Sequence, residues 1–260
     1  MLEHKKIQNL SDYFVELNSR REKGVYFYRI NGYSEEVGEF IKKYYDTARR
    51  TGVVIEGKIP NPDEGNLAYY NEIMGMDFQM SMDFIHVSLR KWLPRMNEFQ
   101  RQNVAASIYD SLDSLRKAGK TENMLRNAYI KFMCWLYYKF ERIVNQLGEN
   151  HIPKILYEGQ ISNYELMLIS VLSNAGCDVV LLQYAGDQGY LKTDPGSVLS
   201  DSLQMEGLQP FPQGYCVKKV RDEIQNELNN ERLYGIRPSL TNCTNAWIKG
   251  NGCLLYTSPS

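Results

Sequence analysis

The sequence predicts an α/β protein: a helical N-terminal half followed by a Rossmann-like parallel strand–helix–strand unit. Three observations carry this. Apolar residues recur at threes and fours through 97–147, the period of helices packed on one side. After Gly148, two short β-rich runs flank a capped apolar helix. The composition, 43% hydrophobic and 23% charged, is that of a globular chain with a sizeable core, which excludes wholesale disorder.

The elements follow in order. Residues 25–30, aromatic and β-branched and ending at Asn31-Gly32, read as a short strand. Ser34 caps a helix over 34–50 that Gly52 stops. Residues 53–55 are a weak strand, 60–65 a Pro/Gly loop, and 78–93 a helix closed by Pro94. Helices are expected over 97–118, ending at Gly119, and over 121–147, ending at Gly148. On the second, Leu125, Tyr129, Phe132, Leu136, Phe140, Ile143 and Leu147 form one stripe, and Cys134, Trp135, Tyr137 and Tyr138 widen it. A helix so apolar is expected to be covered on more than one side.

The character then changes. Residues 152–157 read as a strand and 158–161 as a turn; Ser162-Asn163-Tyr164-Glu165 is a capping box. The helix runs to Ala175, Gly176 ends it, and 178–183 is a buried strand. The unit should be parallel with a right-handed crossover. A loop-rich stretch follows Tyr184, then a polar helix over 217–233. The expected organisation is a mainly helical region 1–148 and an incomplete Rossmann-like region 149–252. Residues 253–260, with Leu254-Leu255-Tyr256-Thr257-Ser258-Pro259-Ser260, read as a translated sequencing-adapter scar, so the chain is expected to be the front of a longer protein.

Thirty Lys and Arg against thirty-one Asp and Glu leave a net charge of −1, which argues against a general nucleic-acid binder. No run reaches the roughly 18 apolar residues of a membrane helix, and no signal-peptide apolar region follows Met1. Five scattered cysteines (134, 177, 216, 243 and 253) suggest reduced thiols and a cytoplasmic setting. Asn242-Cys243-Thr244 matches a glycosylation pattern by chance on that reading.

The candidate site is the turn between the strand ending at Tyr157 and the helix starting at Asn163. Open parallel sheets bind ligands at the carboxyl ends of their strands, where helix N-termini offer N–H groups to anions. Glu158, Gly159, Ser162 and Asn163 are the ligand-binding candidates, joined by Asp187 beyond the next strand, with Tyr184 and Gln188 at the same end. A plain connection explains the same turn, because Ser162 and Glu165 already satisfy the helix end and no glycine-rich phosphate motif is present. No metal site is expected: His4, His86 and His151 are far apart. Adjacent acids such as Glu35-Glu36 read as solvated, and Cys177 as a buried thiol. The nineteen Tyr suit sugars or polar partners, though at helical spacing they more often edge a core. The polar run 242–247 suits a sugar, a partner or a turn equally.

Three stretches carry a resemblance. Asn127-Ala128-Tyr129-Ile130-Lys131-Phe132-Met133-Cys134-Trp135 is one. Ile155-Leu156-Tyr157-Glu158-Gly159 with Ile161-Ser162-Asn163-Tyr164-Glu165-Leu166 is the second. The third is Gly176-Cys177-Asp178-Val179-Val180-Leu181-Leu182-Gln183, and Asn242-Cys243-Thr244-Asn245-Ala246-Trp247 adds to them. Together they resemble the bacterial YceG-like family, described as a component of a biosynthetic module. The resemblance implies a setting in tellurite-resistance and stress-response gene clusters beside TerD-type and TelA-type proteins. It implies no catalytic residues, and the cofactor is left open. Two functions follow as expectations: a transferase-like enzyme binding a nucleotide or nucleotide-sugar at the Glu158–Asn163 turn, or a non-catalytic protein assembling with TerD-like partners.

Overall fold

The computed structural model describes residues 2–61, 65 and 67–234. Five strands, β1 (Phe27–Ile30), β2 (Val53–Glu56), β3 (Lys154–Glu158), β4 (Asp178–Leu182) and β5 (Asp201–Ser202), form one sheet in the order β2-β3-β4-β1-β5. Every pairing is parallel. The expected unit is present: β3, α7 (Asn163–Ala175) and β4 are consecutive, and β3 pairs β4 from Lys154↔Asp178 to Glu158↔Leu182.

The path of the chain sorts the helices. From β1 the chain moves across the sheet to its β2 edge through α1 (Glu35–Thr51); from β2 it returns through β3 and β4 to β5. Right-handed crossovers running in opposite directions put their helices on opposite faces. Strand burial follows. Phe27, Val53, Ile55, Ile155, Tyr157, Val179 and Leu181 join the large core with α3 (Met82–Trp92), α4 (Glu98–Lys117), α5 (Glu122–Trp135) and α7. The alternate positions, Tyr28, Ile30, Leu156, Val180 and Leu182, are buried outside that core. On this second side Tyr44 of α1 donates from its hydroxyl to the Asp178 carbonyl (3.1 Å), and Tyr13 to the Val179 carbonyl (3.0 Å). Tyr13 also meets Tyr26, Tyr28, Phe40 and Tyr44 ring to ring. Several tyrosines therefore lie deep in the core rather than at its edge.

Caps behave as their residues dictate. Ser34 accepts from the Val37 N–H at the start of α1, and Gly52 closes that helix. Gly52 is required by space: a Cβ there would lie 1.8 Å from the Lys154 carbonyl oxygen. The expected single helix over 121–147 is interrupted. Beyond α5 comes a π-turn, Leu136–Phe140, and then α6 (Glu141–Val144). The wider turn keeps Leu136 and Phe140 in the core while Tyr137 stacks on Tyr69 (3.8 Å, 6°) and Tyr138 donates to the Pro60 carbonyl. Tyr69 belongs to α2 (Leu67–Met74), a short helix that the sequence pattern does not announce.

The chain forms one compact unit to Val217, and from Lys218 a second unit holds the rest of α8 (Val217–Tyr234). Among the described residues no helix is long and apolar enough to cross a membrane. The run 242–247 and residues 253–260 lie outside the described residues.

At the amino ends of the strands a carboxylate is fully buried. Asp178 accepts from Arg20 through both oxygens (3.0 and 2.5 Å), from Lys154 Nζ (2.6 Å) and from the Tyr26 N–H (2.9 Å). Burial pushes the Lys154 ammonium below its ordinary pKa, and Asp178 opposes that. Asp178→Asn would leave two cations without their counter-charge and should cost about 3–5 kcal/mol, whereas Lys154→Met leaves the Arg20–Asp178 pair whole and should cost clearly less. Urea unfolding of both variants measures the difference. Gly52→Ala should cost about 1–3 kcal/mol through the clash with β3, read in the same experiment.

Candidate functional site

The carboxyl end of the sheet is where ligands of open parallel sheets bind. Here β3 ends in Glu158 and the chain turns at Gly159, whose φ of +95° suits glycine. The Gly159 N–H donates to the Leu182 carbonyl (3.2 Å), and Gln183 Nε2 donates to the Gly159 carbonyl (3.0 Å). The capping box forms as its spelling dictates: Ser162 Oγ accepts from the Glu165 N–H, and Glu165 Oε2 accepts from the Ser162 N–H (3.0 Å). Glu165 does more than cap. Its Oε1 accepts from the Ile59 N–H (2.6 Å), so one buried carboxylate joins the start of α7 to the loop after β2.

The five predicted residues have separate surroundings. Glu158 Oε2 accepts from the Tyr184 hydroxyl (2.6 Å) and from the Val217 N–H (2.8 Å). Burial and that carboxylate raise the Tyr184 phenol pKa. Gly159 shapes the turn and Ser162 caps α7. Asn163 is exposed and lines a cleft of about 280 Å³ between α4 and α7, with Ser107, Asp110 and Ser111 on its far wall.

Asp187 is held by a buried cation from β1. Arg29 Nε and Nη2 donate to its two oxygens (3.2 and 3.0 Å), while Nη1 donates to Ser200 Oγ (2.8 Å). The Arg29 guanidinium also lies 4.2 Å from the Tyr190 ring centre. The Ser200 hydroxyl donates to Tyr190, whose hydroxyl donates to Asp194 (2.8 Å). This network fastens the segment before β5 to β1. Beyond the ends of β4 and β1, Tyr184, Phe211, Tyr215 and Tyr33 pack against one another with ring centres 5.0–5.8 Å apart.

A larger cleft, about 470 Å³, opens beside the β2–β3 side of the same end. Asn61 and α2 form one wall, α5 another, and Tyr164 of α7 closes it. None of the five predicted residues lines it. Its lining from α5 is Asn127, Ile130, Lys131, Cys134 and Trp135, at i, i+3, i+4, i+7 and i+8, one stripe of a helix. The signal was legible as a stripe facing away from the apolar one, carrying an amide and a cation amid aromatic residues. Burial pushes the Cys134 thiol up to about 11, so it is a packing group at neutral pH.

The histidines are apart and each has its own partner: His4 with Ser173, His86 with Glu98, His151 with Glu16 and Thr51. Among the described residues no group of three or more His, Cys, Asp or Glu is arranged to hold a metal ion. Cys177 is fully buried and its pKa is raised by burial.

Asp187→Ala separates a structural from a binding role. It would strand the Arg29 guanidinium and should cost about 3 kcal/mol in urea unfolding; a variant as stable as the parent would free Asp187 for a ligand.

A model of the YceG domain matches residues 5–227, which is most of the chain. No curated protein and no solved structure matches. The chain belongs to the YceG-domain family.

Proposed function

We propose that this chain is the nucleotide- or nucleotide-sugar-binding part of a transferase-like enzyme within a bacterial biosynthetic module. The observation that carries the reading is the parallel sheet whose β3–α7 turn, from Glu158 to Asn163, stands at the strands' carboxyl end, beside the cleft that Tyr164 closes. Asn163 borders a second cleft, which runs along α7 against α4. The link to tellurite resistance and stress response comes with the family resemblance alone, as do TerD-type and TelA-type partners.

The alternative, a non-catalytic protein assembling with TerD-like partners, asked for an exposed apolar face on the aromatic helix. Leu125, Tyr129, Phe132, Leu136, Phe140 and Ile143 are all buried, which favours the ligand-binding reading.

The test is a thermal-shift titration of the protein with ADP, UDP and UDP-glucose. At a hundred times its dissociation constant a ligand stabilises by about 2.7 kcal/mol. Gly159→Val and Asn163→Ala should lose that stabilisation. Asn163→Ala carries the weight, since valine at the positive φ of Gly159 also strains the backbone. A protein that none of the three stabilises would overturn the reading, and undiminished stabilisation of Asn163→Ala would remove the turn from the site.

A further inference from the structure

The cleft of about 470 Å³ has a lining whose chemistry selects a ligand. Four aromatic rings, Tyr70, Trp135, Tyr138 and Tyr164, stand on it together with Lys131 and two amides, Asn61 and Asn127. Among the described residues no carboxylate lines it. Lys131 Nζ lies 4.6 Å from the Tyr164 ring centre and 5.9 Å from that of Trp135. Among the described residues Lys131 has no carboxylate oxygen within 4.0 Å, and the Tyr164 and Trp135 rings are beside it.

The walls are fixed before any ligand arrives. Tyr69 of α2 is stacked on Tyr137 of the π-turn, Arg126 Nη2 donates to the Met74 carbonyl at the end of α2, and Tyr138 donates to the Pro60 carbonyl. Three anchors therefore hold α2 and Pro60 against α5 and the π-turn. π-turns inside α-helices recur at functional sites, and this one borders the cleft through Tyr138. The volume falls in the range of small-molecule sites, about 300–1,000 Å³.

Aromatic walls stack a flat heterocycle, amides pair with its edge or with ribose hydroxyls, and a single ammonium meets a phosphate as a point charge. We propose that this cleft binds a nucleoside phosphate, with the base among Tyr70, Trp135 and Tyr164 and a phosphate at Lys131. The proposal rests on the nucleotide class of the reading above but places base and charge in this cleft, which none of Glu158, Gly159, Ser162, Asn163 and Asp187 lines, so Asn163→Ala separates the two placements: undiminished binding fits the cleft and lost binding the turn.

UMP and uridine are the probes, titrated against the full chain by tryptophan fluorescence and thermal shift. UMP should quench the fluorescence, and Trp135→Phe should remove that quenching. Lys131→Gln, a solvent-exposed helix position where glutamine keeps the fold, should weaken UMP at least about tenfold and leave uridine unchanged, since a hydrogen bond to a charged group contributes about 1.5–3 kcal/mol. Lys120→Gln, outside the cleft, should bind UMP like the parent. If UMP binds the parent and Lys131→Gln equally, the cleft assignment is overturned while nucleotide binding stands. If neither UMP nor any of ADP, UDP and UDP-glucose binds the parent, both fall.

Discussion

The fold depends first on one buried carboxylate. Asp178 opens β4 and gathers groups from two other parts of the chain: Arg20 and the Tyr26 N–H from the segment leading into β1, and Lys154 from β3. A carboxylate removed from water is tolerable only when its oxygens are filled by donors of opposite charge. That requirement constrains topology. With Arg20 and Tyr26 both bound to Asp178, β1 comes to lie beside β4 rather than beside β2, which follows it in sequence. β4, the middle strand of the sheet, is thereby the neighbour of the first strand in the chain.

A second ion pair, the buried Arg29 with the half-buried Asp187, acts at the opposite end and on the opposite face. Arg29, two residues along β1 from Phe27, shares the face of Phe27 in the large core, and it clamps Asp187 and Ser200 from the segments after β4. The amino end is thus sealed on the α1 side and the carboxyl end beyond β1 and β4 is filled by the Arg29 network and the Tyr33, Tyr184, Phe211 and Tyr215 rings. Among the described residues the β2–β3 side of the carboxyl end has no comparable ion pair, and the larger cleft lies beside it.

Local rules made much of this legible in the sequence. The Ser162–Glu165 capping box, the Gly176 stop and the two apolar runs define β3, α7 and β4 because each signal acts within a few residues. Non-local bonds were beyond that reach. Glu165 looks like a helix cap, and nothing near it in the chain says that its other oxygen holds Ile59. Asp187 looks like a free acid after a strand, yet its partner is 158 residues earlier. The order of strands depends on Asp178 meeting Arg20, also 158 residues away, and no periodicity encodes such a meeting. The π-turn was hidden for a different reason: Tyr137 and Tyr138 fit an α-helical stripe equally well until Tyr69 and Pro60 are seen to claim them.

The candidate site follows from the same bookkeeping of partners. Charged groups that maintain the sheet are buried and saturated: Asp178 accepts four hydrogen bonds, and the buried Arg29 donates to both oxygens of Asp187. Of the polar residues chosen from the sequence at the strand–helix turns, Glu158, Ser162 and Asp187 already have partners within the fold, since a turn packed on a buried sheet must satisfy its own backbone. A recognition group has the opposite property: it keeps its donors open at the cost of remaining near water. Lys131 meets that description. It is exposed, it stands between two aromatic faces, and it has no counter-carboxylate among the described residues. A cation held only by ring quadrupoles keeps its three N–H donors for an anion, and the rings beside it offer the stacking surface that a base needs.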